Sequence, residues 1–285
     1  MMVSAGLLLG LAIGPLGGEK EIATVALVVA MTLAFTEIRL EGLSLGSEAR
    51  AFAPAVFWNY VVLTGIILGF AALTTDPDLR NGWVVMAAVP SAIAVVPLAS
   101  IVKGDVRSVV VSSALLYVLA LVLVPVITLG FAGRAVPPAD VAVQTFLQIG
   151  IPLIASRVLV RIPAIQEVRR VGVNLSFLVL MAMVVGANKI AFADPGLVLS
   201  LAGAALLRTF GIGLAALGLA RLAGRPREDR VAWTLFSSFK NGGLTALLAL
   251  SLFGPRAAIP AIVTLLFEIL WLSAIPVIFR NRPAS

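Results

Sequence analysis

The chain has 285 residues, 60% hydrophobic and 12% charged, against roughly 25% charged in an average soluble domain; this is the composition of an all-α integral membrane protein. Its formal charge of +7 comes from basic residues scattered between apolar runs, not from a continuous basic face, which argues against a nucleic-acid partner. With no Cys and no His, disulfides, thiolate chemistry and the commonest metal ligand and general base are excluded, and no metal, cofactor or enzymatic activity is expected.

The opening MMVSAGLLLGLAIGPLGG carries no basic residue ahead of its apolar run, so it reads as a short first membrane segment and not as a cleaved signal. Charged or turn-rich breaks then divide the chain into ten segments, at roughly 2–16, 21–38, 51–73, 82–102, 107–131, 139–160, 171–191, 196–221, 230–253 and 258–279. An even number of spans puts both termini on one side. The connections on that side hold Arg39, Arg50, Lys103, Arg107, Arg157, Arg161, Arg169, Arg170, Arg221, Arg225, Arg227, Arg230, Arg280 and Arg282, while the other side holds only Lys20, Arg80, Arg134, Lys189 and Arg256. The imbalance assigns the first group and both termini to the cytoplasm, with the protein in the inner (plasma) membrane. Glu37, in LAFTEIRL, falls at the cytoplasmic interface.

Segments three to five are centred near 62, 92 and 119 and segments eight to ten near 208, 241 and 268, an offset of about 146 to 149 residues. Ten evenly spaced spans give a similar offset without shared ancestry, so spacing alone leaves both readings open. If the repeat is real, five spans is an odd number and the halves, 1–133 and 139–285, are inverted relative to each other. Asn59 in segment three and Arg208 in segment eight are then mirror-related.

Segment four, WVVMAAVPSAIAVVPLASIVKGD, carries Pro90 and Pro97, which remove backbone donors and interrupt the helix. Segment nine has Asn241, Gly242 and Gly243 at the matching place, and adjacent glycines weaken a helix. Interrupted segments at corresponding positions of two halves point to a transport site near the bilayer midplane, although Pro and Gly also serve close helix packing in membranes.

Lys240 sits beside this second break, with no acid between Asp229 and Glu268. A mid-membrane lysine needs a partner or a wet cavity. It is read as a built-in cation facing helix C-terminal carbonyls, against the alternatives of a proton switch and of a side chain snorkelling to an interface. Arg208, in LLRTFGIG, is read either as a fork for an anionic substrate group or as the ion-pair partner of Glu268, the one deep acid of this half. Ser91, Ser100, Ser112, Ser113, Thr209, Ser237, Ser238 and Thr245 either line a polar path or bond their own helix carbonyls.

Two of these stretches carry a resemblance. VPSAIAVVPLASIVKGDVRSVVVSSALL is similar to the fourth and fifth helices of the bile-acid:sodium symporter family, and FSSFKNGGLTALLAL to its ninth. The family's Pro-Gly-Gly-Thr-Ala-Ser-Asn pattern with its Lys/Arg-Gly-Asn/Asp turn lies without gaps on Pro90 to Asp105, and Glu-Val-Gly-Met-Gln-Asn-Ser-Gly-Leu lies on Phe236 to Leu244. The resemblance implies ten transmembrane helices in two inverted five-helix repeats, with helices four and nine broken and crossing. It also implies a core domain (51–133 and 195–279) and a panel domain (1–42 and 139–193). Asn59 lies near a family glutamine ligand, with a one-residue ambiguity against Trp58.

The departures are as informative. Val95 and Val96 stand at a Ser-Asn pair that helps hold sodium in the family, and Phe236 at its sodium-bridging Glu, so the side-chain oxygens are gone. Lys240 stands at the family's Gln. The expectation is a secondary transporter of a small organic anion by alternating access, sodium-independent or proton-coupled, with Lys240 in place of the bound cation. The alternative is a channel-like or signalling membrane protein that keeps the transporter fold without pumping. The expected partners are the organic anion, the lipid bilayer and, for the coupled version, protons.

Overall fold

The computed structural model describes residues 2–37, 52–132, 136–192 and 194–280, and every regular element among them is helical. Arg39, Arg50, Arg134 and Arg282, four of the charges that orient the chain, lie outside the described residues. The helices are α1 (Met2–Ile13) and α2 (Glu19–Phe35), α3 (Phe52–Leu73), α4 (Pro77–Ala88) and α5 (Val95–Ile101), and α6 (Val106–Ala132), α7 (Pro138–Leu159), α8 (Pro163–Gly186) and α9 (Pro195–Leu222). They close with α10 (Arg227–Ser238) and α11 (Gly242–Phe253) and α12 (Pro255–Ile278). A helical turn, Lys189–Phe192, stands between α8 and α9.

Six of these helices, α3, α6, α7, α8, α9 and α12, are long and apolar enough to cross a bilayer. Of the ten expected segments, the fourth and ninth are the half-helix pairs α4/α5 and α10/α11. The first two are shorter than expected, with 12 and 17 helical residues, or about 18 and 26 Å at 1.5 Å per residue against about 30 Å of hydrocarbon. Large apolar side chains stand on the outer surface, Leu73, Leu199 and Leu222 among them, as suits a molecule whose solvent there is lipid.

Local signals set the helix starts. Asp76 accepts from Asp78 N and Leu79 N with Pro77 at the first helical position, and Asp194 does the same for Gly196 N and Leu197 N ahead of α9. Three long helices contain a wider, π-helical stretch: Phe57–Leu63 in α3, Phe146–Gly150 in α7 and Leu207–Gly211 in α9. Such stretches rotate the following turn and are common at functional positions. Asn59, Gln148 and Arg208 lie one in each.

The helices pack as two groups. In the first, α8 lies against both α1 and α2, and α7 against α2. Gly6 and Gly10 make the α1–α8 approach possible, because a Cβ at those positions would come within 2.5 Å of Leu178 O and 2.6 Å of Ala182 O. The second group holds α3 to α6 and α9 to α12, and its α11 also touches α2 and α8 of the first.

Candidate functional site

The fourth segment breaks where the sequence indicates. α4 ends at Ala88, residues 89–94 are non-helical, and α5 begins at Val95. Pro90 lies in the gap, while Pro97 falls in the first turn of α5, where a missing N–H leaves no helical bond unmade. In the ninth segment the gap is Phe239, Lys240 and Asn241, one step earlier than the glycine signal implies. Gly242 and Gly243 are the first two residues of α11. Their function is steric: a Cβ on Gly242 would stand 2.5 Å from Leu265 Cδ1, and one on Gly243 2.9 Å from Phe177 Cε1. The two gaps touch through their backbones, Asn241 N donating to Pro90 O at 2.9 Å.

Breaking a helix strands carbonyls at one half and N–H groups at the other. Lys240 serves the stranded carbonyls of α4. Its side chain is fully buried, and Nζ donates to Val89 O at 2.8 Å, Ala87 O at 3.0 Å, Thr64 Oγ1 at 3.0 Å and Asn59 Oδ1 at 3.3 Å. The ring of Tyr60 lies 4.7 Å from the same nitrogen. All four polar neighbours are acceptors here, which suits an ammonium with three N–H donors and no lone pair. Snorkelling is not what this side chain does in the structure.

The stranded carbonyls of α10 are served by two residues of the π-helical stretches, Asn59 and Arg208. Asn59 Nδ2 donates to Phe236 O and Phe239 O, each at 3.1 Å. Arg208, also fully buried, donates from Nη2 to Ser238 O at 3.3 Å and from Nε to Thr209 Oγ1 at 3.3 Å. The same Nη2 is paired with Glu268 Oε1. Glu268 Oε1 in turn accepts from the backbone N of Lys240 at 3.1 Å, so the ion pair ties α9 and α12 to the ninth-segment gap. Of the two readings of Arg208, the geometry makes the pair with Glu268.

Asn241 caps α11 by accepting from Leu244 N at 3.0 Å, and its Nδ2 donates to the Tyr117 hydroxyl at 2.7 Å and approaches Met31 Sδ at 3.4 Å. Met31 belongs to α2, so Asn241 stands where the two helix groups meet. Ser91, which lies 149 residues before Lys240, is 1% exposed with a hydroxyl that has no partner among the described residues. Ser237 and Ser238 both donate to Thr234 O, at 3.1 and 2.6 Å, and Thr245 donates to Asn241 O at 2.8 Å. These three bond their own helix. Ser238 Oγ also accepts from Trp271 Nε1 at 2.9 Å. Glu37 is half-exposed and 3.6 Å from Arg169.

Val95, Val96 and Phe236 sit in one buried apolar cluster with Val109, Leu116 and Phe239. A hard cation there would meet no oxygen from any of those side chains. Sequence reasoning missed Thr64, Tyr60 and Tyr117. One signal was available, since the chain has only two tyrosines and both fall inside membrane segments.

A model of the SBF-like CPA transporter family matches residues 21–280. Comparison with curated proteins returns no match. A multi-pass arrangement of apolar helices, two interrupted helices joined at their gaps and a family match over nearly the whole chain agree, and the protein belongs to the SBF-like CPA transporter family of membrane transporters.

Proposed function

We propose that the protein is a secondary carrier for a small organic anion and that Lys240 is its built-in cation, standing where relatives hold a coupling ion. The observation that carries this reading is the coordination of Nζ by four acceptors at the end of α4, with no exposure. A bound sodium ion needs such a ring of oxygens; here the ring encloses an ammonium that cannot leave. The lost oxygens at Val95, Val96 and Phe236 support the same reading. The buried charges, Lys240 and Arg208 against Glu268, leave one positive charge uncompensated in a low-dielectric setting, which favours an anionic ligand.

In this reading the ten segments cross the membrane as two inverted repeats with both termini in the cytoplasm. The support is the parallel between the halves: a π-interrupted helix, a half-helix pair and a helix with a late proline, Pro125 in α6 and Pro276 in α12. The group α1, α2, α7 and α8 is the panel, the remainder is the core, and substrate passes where they meet at Asn241. The reading places no chemical conversion in the cycle.

Proteoliposome uptake and counterflow of labelled mono- and dicarboxylates test the proposal. Saturable exchange is expected for at least one, unaffected by replacing sodium with potassium and abolished in Lys240→Met. A tethered counter-charge gives rates nearly flat between about pH 6 and 8, whereas a lysine that cycles its proton makes uptake follow an imposed proton gradient. Undiminished transport by Lys240→Met would overturn the proposal.

A further inference from the structure

A cavity of about 360 Å³ opens at the end of the molecule assigned above to the cytoplasm, inside the core group and away from its seam with the panel. Asp105, Glu228 and Asp229 line it together with Trp233 and Arg225. Ser112, two turns into α6, also lines it; this residue is 1% exposed and its hydroxyl bonds to nothing among the described residues. The volume is within the range of small-ligand sites. Asp105 starts α6, and Glu228 and Asp229 lie in the first turn of α10, so part of their charge offsets two helix N-termini. Among the lining residues, three carboxylates against about half a charge from each of two N-termini and one guanidinium leave roughly one negative charge, with Arg230 outside the lining, its Nε donating to Arg225 O at 2.6 Å.

Arg225 shows what fits. Its guanidinium lies 5.3 Å from the centroid of Trp233 and 3.8 Å from Asp229 Oδ2, so a planar cation is already held between an aromatic face and a carboxylate at the mouth. The residue before it, Gly224, has φ of 64°, in the left-handed region open to glycine, and Arg225 itself is half-exposed. We infer that this cavity is a cytoplasmic binding site for a small organic cation bearing an amino or guanidino group, and that Arg225 occupies its outer end as a displaceable internal competitor. The ligand's charged head replaces the Arg225 head over Trp233. Its other end reaches Ser112, whose free hydroxyl gives the inner wall its hydrogen-bonding group. The site has the opposite charge preference to the crossing at Lys240, and its inner wall includes Phe236, one of the positions used in the transport reading.

Agmatine is a suitable probe, with glutarate as the anionic control, titrated calorimetrically into the purified full-length protein in uncharged detergent. Saturable binding of agmatine and none of glutarate is expected, weakening as salt rises because the rim is exposed. Asp105→Asn combined with Glu228→Gln, which preserve shape, should weaken binding at least about tenfold, since charge supplies the attraction. Arg225→Ala should tighten it by about threefold to tenfold, the worth of one exposed ion pair and one exposed cation–π contact that the ligand no longer displaces. A melting temperature within a degree or two of the parent would show each variant folded. No saturable binding, preference for glutarate, indifference to the double variant, or weaker binding in Arg225→Ala would each overturn the inference.

Discussion

Neutralising Glu268 tests the buried ion pair most directly. Glu268→Gln keeps a carbonyl oxygen at the position that both the Lys240 N–H and Arg208 Nη2 share, but it removes the counter-charge of Arg208, which at 0% exposure is left with neutral acceptors: that amide oxygen, Ser238 O, Thr209 Oγ1 and the weak acceptor Met86 Sδ. Removing one partner of a buried pair costs about 3 to 5 kcal/mol, because the survivor's charge stays desolvated and uncompensated. For a chain of this size that corresponds to a fall in melting temperature on the order of 10 °C. Arg208→Met with Glu268→Gln removes both charges and should recover most of the loss, leaving a deficit of roughly 1 to 2 kcal/mol from the orphaned Ser238 carbonyl and imperfect packing. Thermal unfolding of the two single variants and the double variant in detergent gives the cycle. Transport by the double variant then separates architecture from recognition: a protein that melts near the parent yet no longer exchanges anions assigns Arg208 to the substrate as well. Additive single effects, with no recovery in the double variant, would refute the assignment of the pair as a coupled structural unit.

Three further outcomes are expected. Thermal stability at constant ionic strength should not rise specifically with sodium over potassium or choline, because Val95, Val96 and Phe236 offer no side-chain oxygen; a saturable sodium-specific increase would contradict this. In the Cys-free background, a cysteine at Gly18 should react with an impermeant thiol reagent in intact cells and one at Arg225 should not; reversed labelling would invert the assigned orientation. Ahead of α4, Asp76 is a helix cap that Arg256 contacts from Nε and Nη2 at 2.8 and 2.7 Å. Partial burial pushes its carboxyl up, but the Arg256 guanidinium and the Leu79 and Asp78 N–H groups outweigh this and hold it below the ordinary range. The lowered folded value means that its contribution is present above the unfolded value near about pH 4 and is lost as pH falls through the folded one. Asp76→Asn should cost less than about 1 kcal/mol at neutral pH and Asp76→Ala more, since only the first keeps the capping oxygen; equal losses would mean the cap contributes nothing.

The breaks at Pro90 and beside Lys240 were legible because an interrupted apolar segment with a stray charge has few explanations in lipid. The alternative partners for Arg208 were legible too, since Glu268 is the one acid within reach of it on the neighbouring segments. What the sequence could not reveal is which atoms fill each role. Thr64 lies five residues after Asn59, and a regular α-helix would not bring both to one nitrogen as directly; the π-helical stretch between them does, and no residue pattern marks it. The glycines after Asn241 looked like a weakened helix, yet close packing against Leu265 and Phe177 is what requires them, and that depends on neighbours far along the chain. α1 and α2 came out short because hydropathy reports how apolar a run is and not where its backbone stops being helical.

The ring around Lys240 has a consequence for how the protein is made. The carbonyls of Ala87 and Val89 belong to the first third of the chain, whereas the ammonium that meets them emerges about 150 residues later. At about 5 to 20 residues per second, that is a wait on the order of ten to thirty seconds in which Ala87 O has only the Thr64 hydroxyl, at 2.7 Å, and Val89 O lacks the Lys240 ammonium. Unpaired carbonyls in hydrocarbon cost several kcal/mol each, so the fourth segment must stay near water or within the insertion machinery until the ninth is threaded. Nascent chains stalled before residue 240 would therefore be extracted and degraded far more readily than chains stalled just after α11, and the order of biosynthesis is written into the position of one lysine.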